Sequence, residues 1–269
     1  MNDPDGLKSD SEAYAEANRA MWNATADVHA RATLPDLLVA VARPDFSTFD
    51  FVEERVFGQI GLSGKDVAQL GCNNGRELIS CKKAGAGRCA GFDIADKFIL
   101  QGRALARAGG LEVEFVRSSV YDIPESYNGA FDIVYVTVGA LGWLRDLGAC
   151  FAVVNRLLRP GGYYFLYEMH PVLDMFDAPT GLEVKHSYFR KAPYVEEAAP
   201  DYLDKSAVVE ATSYWFHHKL SDVIGGCLGA GLELRLFEEY GHDQSEVYAA
   251  FENFEHKPPL SYALLARKV

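Results

Sequence analysis

The sequence predicts an α/β domain whose mostly parallel sheet is covered by helices on both faces. Two observations carry this. From about residue 61 onward, short apolar segments alternate with amphipathic ones, and glycine or proline closes most of them. Strand, helix, strand at this spacing demands right-handed βαβ crossovers and hence a parallel sheet.

The elements follow in order. From Ser11 to about Arg31 the period is helical: Ala13-Tyr14, Ala17, Met21-Trp22 and Ala26 recur at three- and four-residue steps, with Ser11 as N-cap and residues 1–10 frayed. Pro35 and Pro44 interrupt, and a second helix runs from about Phe49 to Ile60, ending at Gly61. Val67–Leu70 is a strand, Arg76–Lys83 a helix, Cys89–Ile94 the second strand, and Asp96–Ala108 a helix stopped by Gly109-Gly110. Val113–Val116 and Phe131–Val138 are the third and fourth strands. Leu144–Leu158 is a helix ended by Arg159-Pro160-Gly161-Gly162, and Tyr163–Glu168 is the fifth strand. Residues 171–212 break the rhythm with Pro171, Pro179, Pro193 and Pro200 among aromatics and charges, and read as an inserted lid. Leu220–Ala230 is a helix, and Glu233–Glu239 and Leu260–Arg267 are two closing strands. The division is an N-terminal helical lid over residues 1–60 and a main domain over 61–269 carrying the insertion.

Composition narrows the function. Of 269 residues, 49% are apolar and 24% charged, with a formal net charge of −12. No Lys/Arg run exceeds two residues, which argues against nucleic acid as a partner, since phosphate binding needs a basic surface. The five cysteines are odd in number and include no Cys-x-x-Cys pair. The acidic start is not a secretory signal, and no stretch approaches the ~20 apolar residues of a membrane span. The expectation is a cytoplasmic monomer or homodimer with free thiols, no metal and no membrane contact.

The turn after the first strand is the most informative segment. Gly71 and Gly75 bracket Cys72-Asn73-Asn74 at the end of Val67–Leu70, where open α/β sheets bind their ligands. A dinucleotide site wants Gly-x-Gly-x-x-Gly, but Asn73 stands at the second glycine. A phosphate loop wants Gly-Lys-Ser/Thr, but the sequence is Gly75-Arg76-Glu77, and Glu77 disfavours an anion. A cofactor without phosphate, carrying a sulfonium cation, fits better.

At these residues the sequence resembles the class I S-adenosylmethionine-dependent methyltransferases. Gln69-Leu70-Gly71-Cys72-Asn73-Asn74-Gly75 stands for an acidic residue followed by Leu/Ile-Gly-Cys-Gly-x-Gly. Gly91-Phe92-Asp93-Ile94 closes the second strand, Val116-Arg117-Ser118-Ser119-Val120 precedes Ile123-Pro124, and Phe131-Asp132-Ile133-Val134 precedes Leu157-Leu158-Arg159-Pro160-Gly161-Gly162. The resemblance covers roughly residues 55–170. It implies a Rossmann-like doubly wound sheet of seven strands, the last antiparallel, and S-adenosyl-L-methionine as cofactor. It implies a cofactor site at Gly71, Cys72, Asn73, Gly75, Asp93, Ile94, Ser119, Val120 and Val138, with Trp22 on the N-terminal helix folded over it. Asp93 would accept the ribose hydroxyls and Ser119 the adenine amino group. Gln69 and Asn73 depart from the family pattern, and Gln69 leaves the methionine end without its usual carboxylate.

The implied reaction is methyl transfer to an oxygen or nitrogen of a small, planar or partly apolar molecule by in-line displacement. The acceptor is expected beyond the fourth and fifth strands, at Thr137–Trp143 and Tyr167–His170. His170 is the leading candidate base, with Glu168 second. In Tyr214-Trp215-Phe216-His217-His218 an aromatic wall would present His217 or His218 to the substrate, and His217 is the third candidate. The rival readings are a non-catalytic module that binds S-adenosylmethionine or a partner, and an NAD-linked oxidoreductase.

Overall fold

A computed structural model describes residues 4–176 and 181–269. Pro179 of the insertion and residues 1–3 lie outside the described residues. In chain order the main elements are α1 (Pro4–Ala32), α2 (Leu34–Ala40), α3 (Phe51–Ile60), β1 (Val67–Leu70), α4 (Arg76–Lys83), β2 (Cys89–Asp93), α5 (Asp96–Ala108), β3 (Glu114–Arg117), β4 (Phe131–Val136), α6 (Leu147–Leu157) and β5 (Leu158–Met169). There follow the short strands β6 (Tyr194–Glu196), β7 (Ala199–Pro200), β8 (Val208–Val209) and β9 (Ser213–Trp215), then α7 (Leu220–Gly229), β10 (Leu232–Tyr240) and β11 (Ser261–Lys268).

Seven strands form one sheet in the order β10-β11-β5-β4-β1-β2-β3. The expected Rossmann-like α/β architecture is therefore present. The last strand, β11, is antiparallel to both its neighbours and lies one place in from the edge, between β5 and β10. Helices α6 and α7 cover one face with Phe151, Val154, Val223 and Cys227, against Phe92, Phe131, Tyr164 and Leu166 of the sheet. Helices α3, α4 and α5 cover the other, packing Phe57, Leu78 and Ile99 on Tyr135, Phe165 and Tyr167. All five cysteines are buried and free.

Several boundaries differ from the sequence reading for identifiable reasons. Helix α1 begins at Pro4, so Ser11 lies inside it and not at its start. Helix α6 begins at Leu147 because Asp146 accepts the Ala149 N–H at 2.9 Å, and the preceding Leu141–Trp143 forms a 3₁₀ turn. Strand β5 starts five residues early, at Leu158, and an irregular register between Phe131 and Ile133 absorbs the Pro160-Gly161-Gly162 segment. The five-residue run Tyr214–His218 is not one strand: β9 ends at Trp215.

The N-terminal helix and the insertion pack on one another. The buried amide of Asn18 donates to the Tyr214 carbonyl at 2.9 Å and accepts the Tyr214 N–H at 2.8 Å, pairing with β9 as a neighbouring backbone would. Tyr14 adds ring contacts to Tyr214 and Phe216.

Candidate functional site

Strand order reverses between β1 and β4, and a crevice at such a point is where an open α/β sheet receives a ligand. The turns leaving the two strands face each other there. Gly71 has φ +62°, and a Cβ on it would lie 3.3 Å from the Ala140 Cβ in the turn after β4. Asn73 takes the left-handed conformation at φ +51°, and its Oδ1 accepts the Asn74 N–H at 2.7 Å, so a local hydrogen bond supports what a glycine would adopt freely.

Asp93 organises the next strand end. Its Oδ2 accepts the Asn73 N–H at 2.7 Å and its Oδ1 accepts the Ala95 N–H at 2.8 Å. A carboxylate offers about four acceptor positions, more than the backbone N–H groups of Asn73, Ala95 and Ile94 take up, which leaves room for a hydroxyl donor. Burial pushes the Asp93 carboxyl up to about 6, against the pull of the backbone N–H groups. The Ser118 N–H donates to the Asp93 carbonyl at 2.9 Å, tying β3 to β2. Ser119 Oγ accepts the Tyr121 N–H at 3.3 Å and caps a 3₁₀ turn, keeping one lone pair. Gly71, Asn73, Asp93, Ile94 and Ser119 thus stand on three adjacent strand ends, and Val138 follows β4 across the crevice.

Three of the expected contacts change meaning. The Cys72 side chain is fully buried and its Sγ would lie 2.8 Å from a Cβ at Gly91, so it packs the sheet and leaves only its backbone at the turn. A Cβ on Gly75, at φ +70°, would overlap the Phe115 ring, so this glycine serves packing against β3. Val120 is buried in the core. Behind the turn, Gln69 is fully buried with neither amide atom hydrogen-bonded among the described residues, and the Thr137 hydroxyl shares that state. Between them Tyr135, the β4 partner of Gln69, donates its hydroxyl to Glu53, whose carboxyl burial pushes up to about 8.

Above the strand ends stands a row of aromatic rings. Trp22 of α1 meets Phe98 of α5 at 6.0 Å, Trp143 after β4 at 5.1 Å and Tyr202 of the insertion at 6.3 Å, and Trp143 meets Trp215 at 5.1 Å. All three tryptophans of the chain lie in this row. Tyr202 had no signal in the sequence, being one aromatic among many in the insertion.

The three candidate bases are hydrogen-bonded within the fold, and Glu168 and His170 border a small cavity beyond the ends of β4 and β5. Glu168 accepts N–H groups from Gly139, Ala140, Leu141 and Met169, the Ala140 and Leu141 bonds at 3.0 Å, and burial pushes it up to about 7. His170 accepts the Val172 N–H on Nδ1 at 3.1 Å and meets Glu239 with Nε2 at 2.9 Å. His217 points Nδ1 at Asp174 and Nε2 at the Tyr188 carbonyl, both at 2.8 Å. The polar atoms of all three are hydrogen-bonded to the surrounding fold. His218 differs. Its Nε2 donates to the Leu144 carbonyl at 2.7 Å, and its Nδ1 has no hydrogen-bond partner among the described residues. It lines the same small cavity with Leu141, Gly142, Glu168, Met169 and Trp215, beyond the ends of β4 and β5. Burial lowers its pKa from the ordinary 6.5 and keeps the ring neutral.

The donor set fits a cofactor with a ribose and no phosphate. Asp93 has acceptors to spare for hydroxyls, and Glu77 in the first turn of α4 opposes an anion at that helix end while holding Arg76 at 2.7 Å. No group of His, Cys, Asp or Glu among the described residues has the arrangement of a metal site. No described helix is long and apolar enough to cross a membrane.

Comparison with known proteins agrees with this geometry. Residues 67–162 match a family described as a methyltransferase domain. The chain is 31% identical over 105 residues to a ubiquinone biosynthesis O-methyltransferase of Aromatoleum aromaticum, covering 39% of this chain and 44% of that one. It therefore spans less than half the length of that relative. Over 183 residues it is 26% identical to an uncharacterised methyltransferase of Bacillus subtilis, covering 66% of this chain and 69% of that one. A solved S-adenosylmethionine-dependent methyltransferase of Mesorhizobium loti superposes with a TM-score of 0.60 at 19% identity, covering 80% of this chain and 96% of that one, a likeness of fold.

Proposed function

We propose that the chain is a class I S-adenosylmethionine-dependent methyltransferase and that it transfers a methyl group from S-adenosylmethionine to an oxygen or nitrogen of a small, partly apolar molecule. The observation that carries the cofactor reading is the Asp93 carboxylate, clamped at the strand end to the Asn73 and Ala95 N–H groups with acceptor capacity to spare. Gly71, the Asn73 backbone, Ile94, Ser119 and Val138 would complete the holding surface. The bound cofactor supplies an electrophilic sulfonium methyl. What the chain supplies is position: the turn at 139–141, held by Glu168, borders both the cofactor crevice and the cavity at His218.

Three features support a small acceptor. The net charge of −12 disfavours a phosphate backbone, the insertion and α1 roof the strand ends, and the aromatic row offers flat apolar walls. The base best placed to take an acceptor proton is His218, whose Nε2–H is fixed by Leu144 and whose Nδ1 is open.

Calorimetry with S-adenosylmethionine and S-adenosylhomocysteine tests the reading. Binding of both is expected, with Asp93→Ala weakening both. Absence of binding at millimolar concentration would sink it. A screen of small hydroxylated and amine compounds for products heavier by one methylene then identifies the acceptor.

A further inference from the structure

The insertion sends one side chain to the glycine turn. Tyr202 packs T-shaped on Trp22 at 6.3 Å and on His29 at 4.9 Å, which sets its ring beside the aromatic row, in the neighbourhood of Asn73, Arg76 and Glu77. Despite these neighbours, 44% of its surface is open. A ring held on two sides by Trp22 and His29 and open elsewhere has a face to offer a ligand bound at the neighbouring turn.

The backbone beside Tyr202 is held with unusual firmness for an insertion. Asp201 is 3% exposed. Its Oδ1 accepts the N–H groups of Leu203 and Asp204, both at 2.9 Å, and its Oδ2 meets His29 Nε2 of α1 at 3.1 Å. His29 is itself buried. A buried hydrogen-bonded pair of this kind fixes geometry more than it adds stability. Here it pins α1 to the insertion at the residue preceding the tyrosine.

We propose that Tyr202 is a cofactor-contacting gate, closing the ligand against Asn73, and that the His29–Asp201 pair is the latch that positions it. This rests on the methyltransferase reading and adds to it a binding residue outside the family's sequence motifs. The ring would exclude water from one side of the cofactor, and the latch would make that closure depend on both α1 and the insertion. His29 and Asp201 are positioning residues, since their side chains meet each other and the loop backbone.

The test is a titration of the whole chain with S-adenosylhomocysteine, followed by calorimetry, tryptophan fluorescence and stopped-flow dissociation. Tyr202→Ala is expected to bind about tenfold more weakly, mainly through faster dissociation, at an unchanged Tm, because a half-open ring contributes little to the fold. His29→Leu is expected to reproduce the faster dissociation. His29→Gln, whose amide still donates to Asp201, is expected to restore most of it, which a merely structural role would not require. Tyr202→Ala with affinity and dissociation rate within about twofold of wild type would overturn the gate. Equal dissociation from His29→Leu and wild type would overturn the latch. Failure of the wild-type chain to bind would overturn the methyltransferase reading itself, and the gate with it.

Discussion

Replacing Glu168 by glutamine separates a structural from a catalytic carboxylate. One oxygen accepts from Gly139 and Met169, the other from Ala140 and Leu141. All four donors are backbone N–H groups and none can turn into an acceptor. Glutamine therefore leaves two of them facing an amide NH2, so the substitution is isosteric but not compatible. A hydrogen bond to a charged group contributes roughly 1.5–3 kcal/mol, so losing two costs about 3–6 kcal/mol. For a chain of this size that lowers Tm on the order of 10 °C. The turn carrying Leu141–Trp143 would loosen, and Trp143 would report it by fluorescence. Thermal unfolding and cofactor calorimetry on Glu168→Gln make the assay. A large fall in Tm together with weakened cofactor binding is expected. A variant with wild-type Tm and affinity but a kcat lowered by orders of magnitude would refute the reasoning and restore Glu168 as a general base.

The other predictions run as follows. Gly75→Ala combines left-handed backbone with overlap on Phe115 and should destabilise by roughly 2–4 kcal/mol, read from the denaturation midpoint, with little change in affinity of the folded fraction. Glu53 has a folded pKa of about 8 against an ordinary 4.5, so the fold holds its proton more tightly than the unfolded chain does; its contribution is full at low pH and is lost as pH rises through about 8. Glu53→Gln should flatten the fall in Tm between about pH 4.5 and 8, because the Tyr135 hydroxyl can rotate to accept from the amide while Asp50 N–H keeps its acceptor. His218→Gln should preserve Tm by still donating to Leu144 and, with a hydroxyl acceptor, lower kcat by about 10²-fold. The wild-type rate should fall only when pH drops below the ordinary 6.5, because burial lowers the His218 pKa and the base must be neutral to act.

What was legible in the sequence was local. β1, α4 and α5 have the bounds that periodicity and terminal glycines indicate, because each is bracketed by its own stop signal. The strand-end residues Gly71, Asn73, Asp93 and Ser119 converge because β1, β2 and β3 are sheet neighbours, a consequence of right-handed crossovers. What was not legible depended on partners distant in the chain. Glu168 is committed to a turn 27–29 residues earlier, and His170 to Glu239, 69 residues later. The requirement for glycine at 75 comes from Phe115, which no motif links to it. Two adjacent histidines look equivalent in sequence, yet Asp174 and Tyr188 take both nitrogens of His217 while Leu144 takes one of His218. The four short strands of the insertion lack the length that makes alternation readable.

In this geometry the hydrogen bonds of Glu168, His170 and His217 also shape the surroundings of the cavity at His218. Glu168 fixes its rim at 139–141, His170 caps the Pro171–Met175 turn, and His217 joins Asp174, which also receives the Trp215 indole N–H at 3.3 Å. Three buried ionisable groups committed to shape make sense for a displacement whose barrier is lowered chiefly by holding two reactants in line. That economy leaves the acceptor's own acidity to decide how much His218 matters. A hydroxyl must lose its proton as the bond forms and gains most from a neutral imidazole at hand, whereas a neutral amine attacks with its lone pair and can shed its proton afterwards. The loss of rate in His218→Gln therefore measures more than one side chain: a large loss points to a hydroxyl acceptor, a small one to an amine held in place by the same aromatic walls.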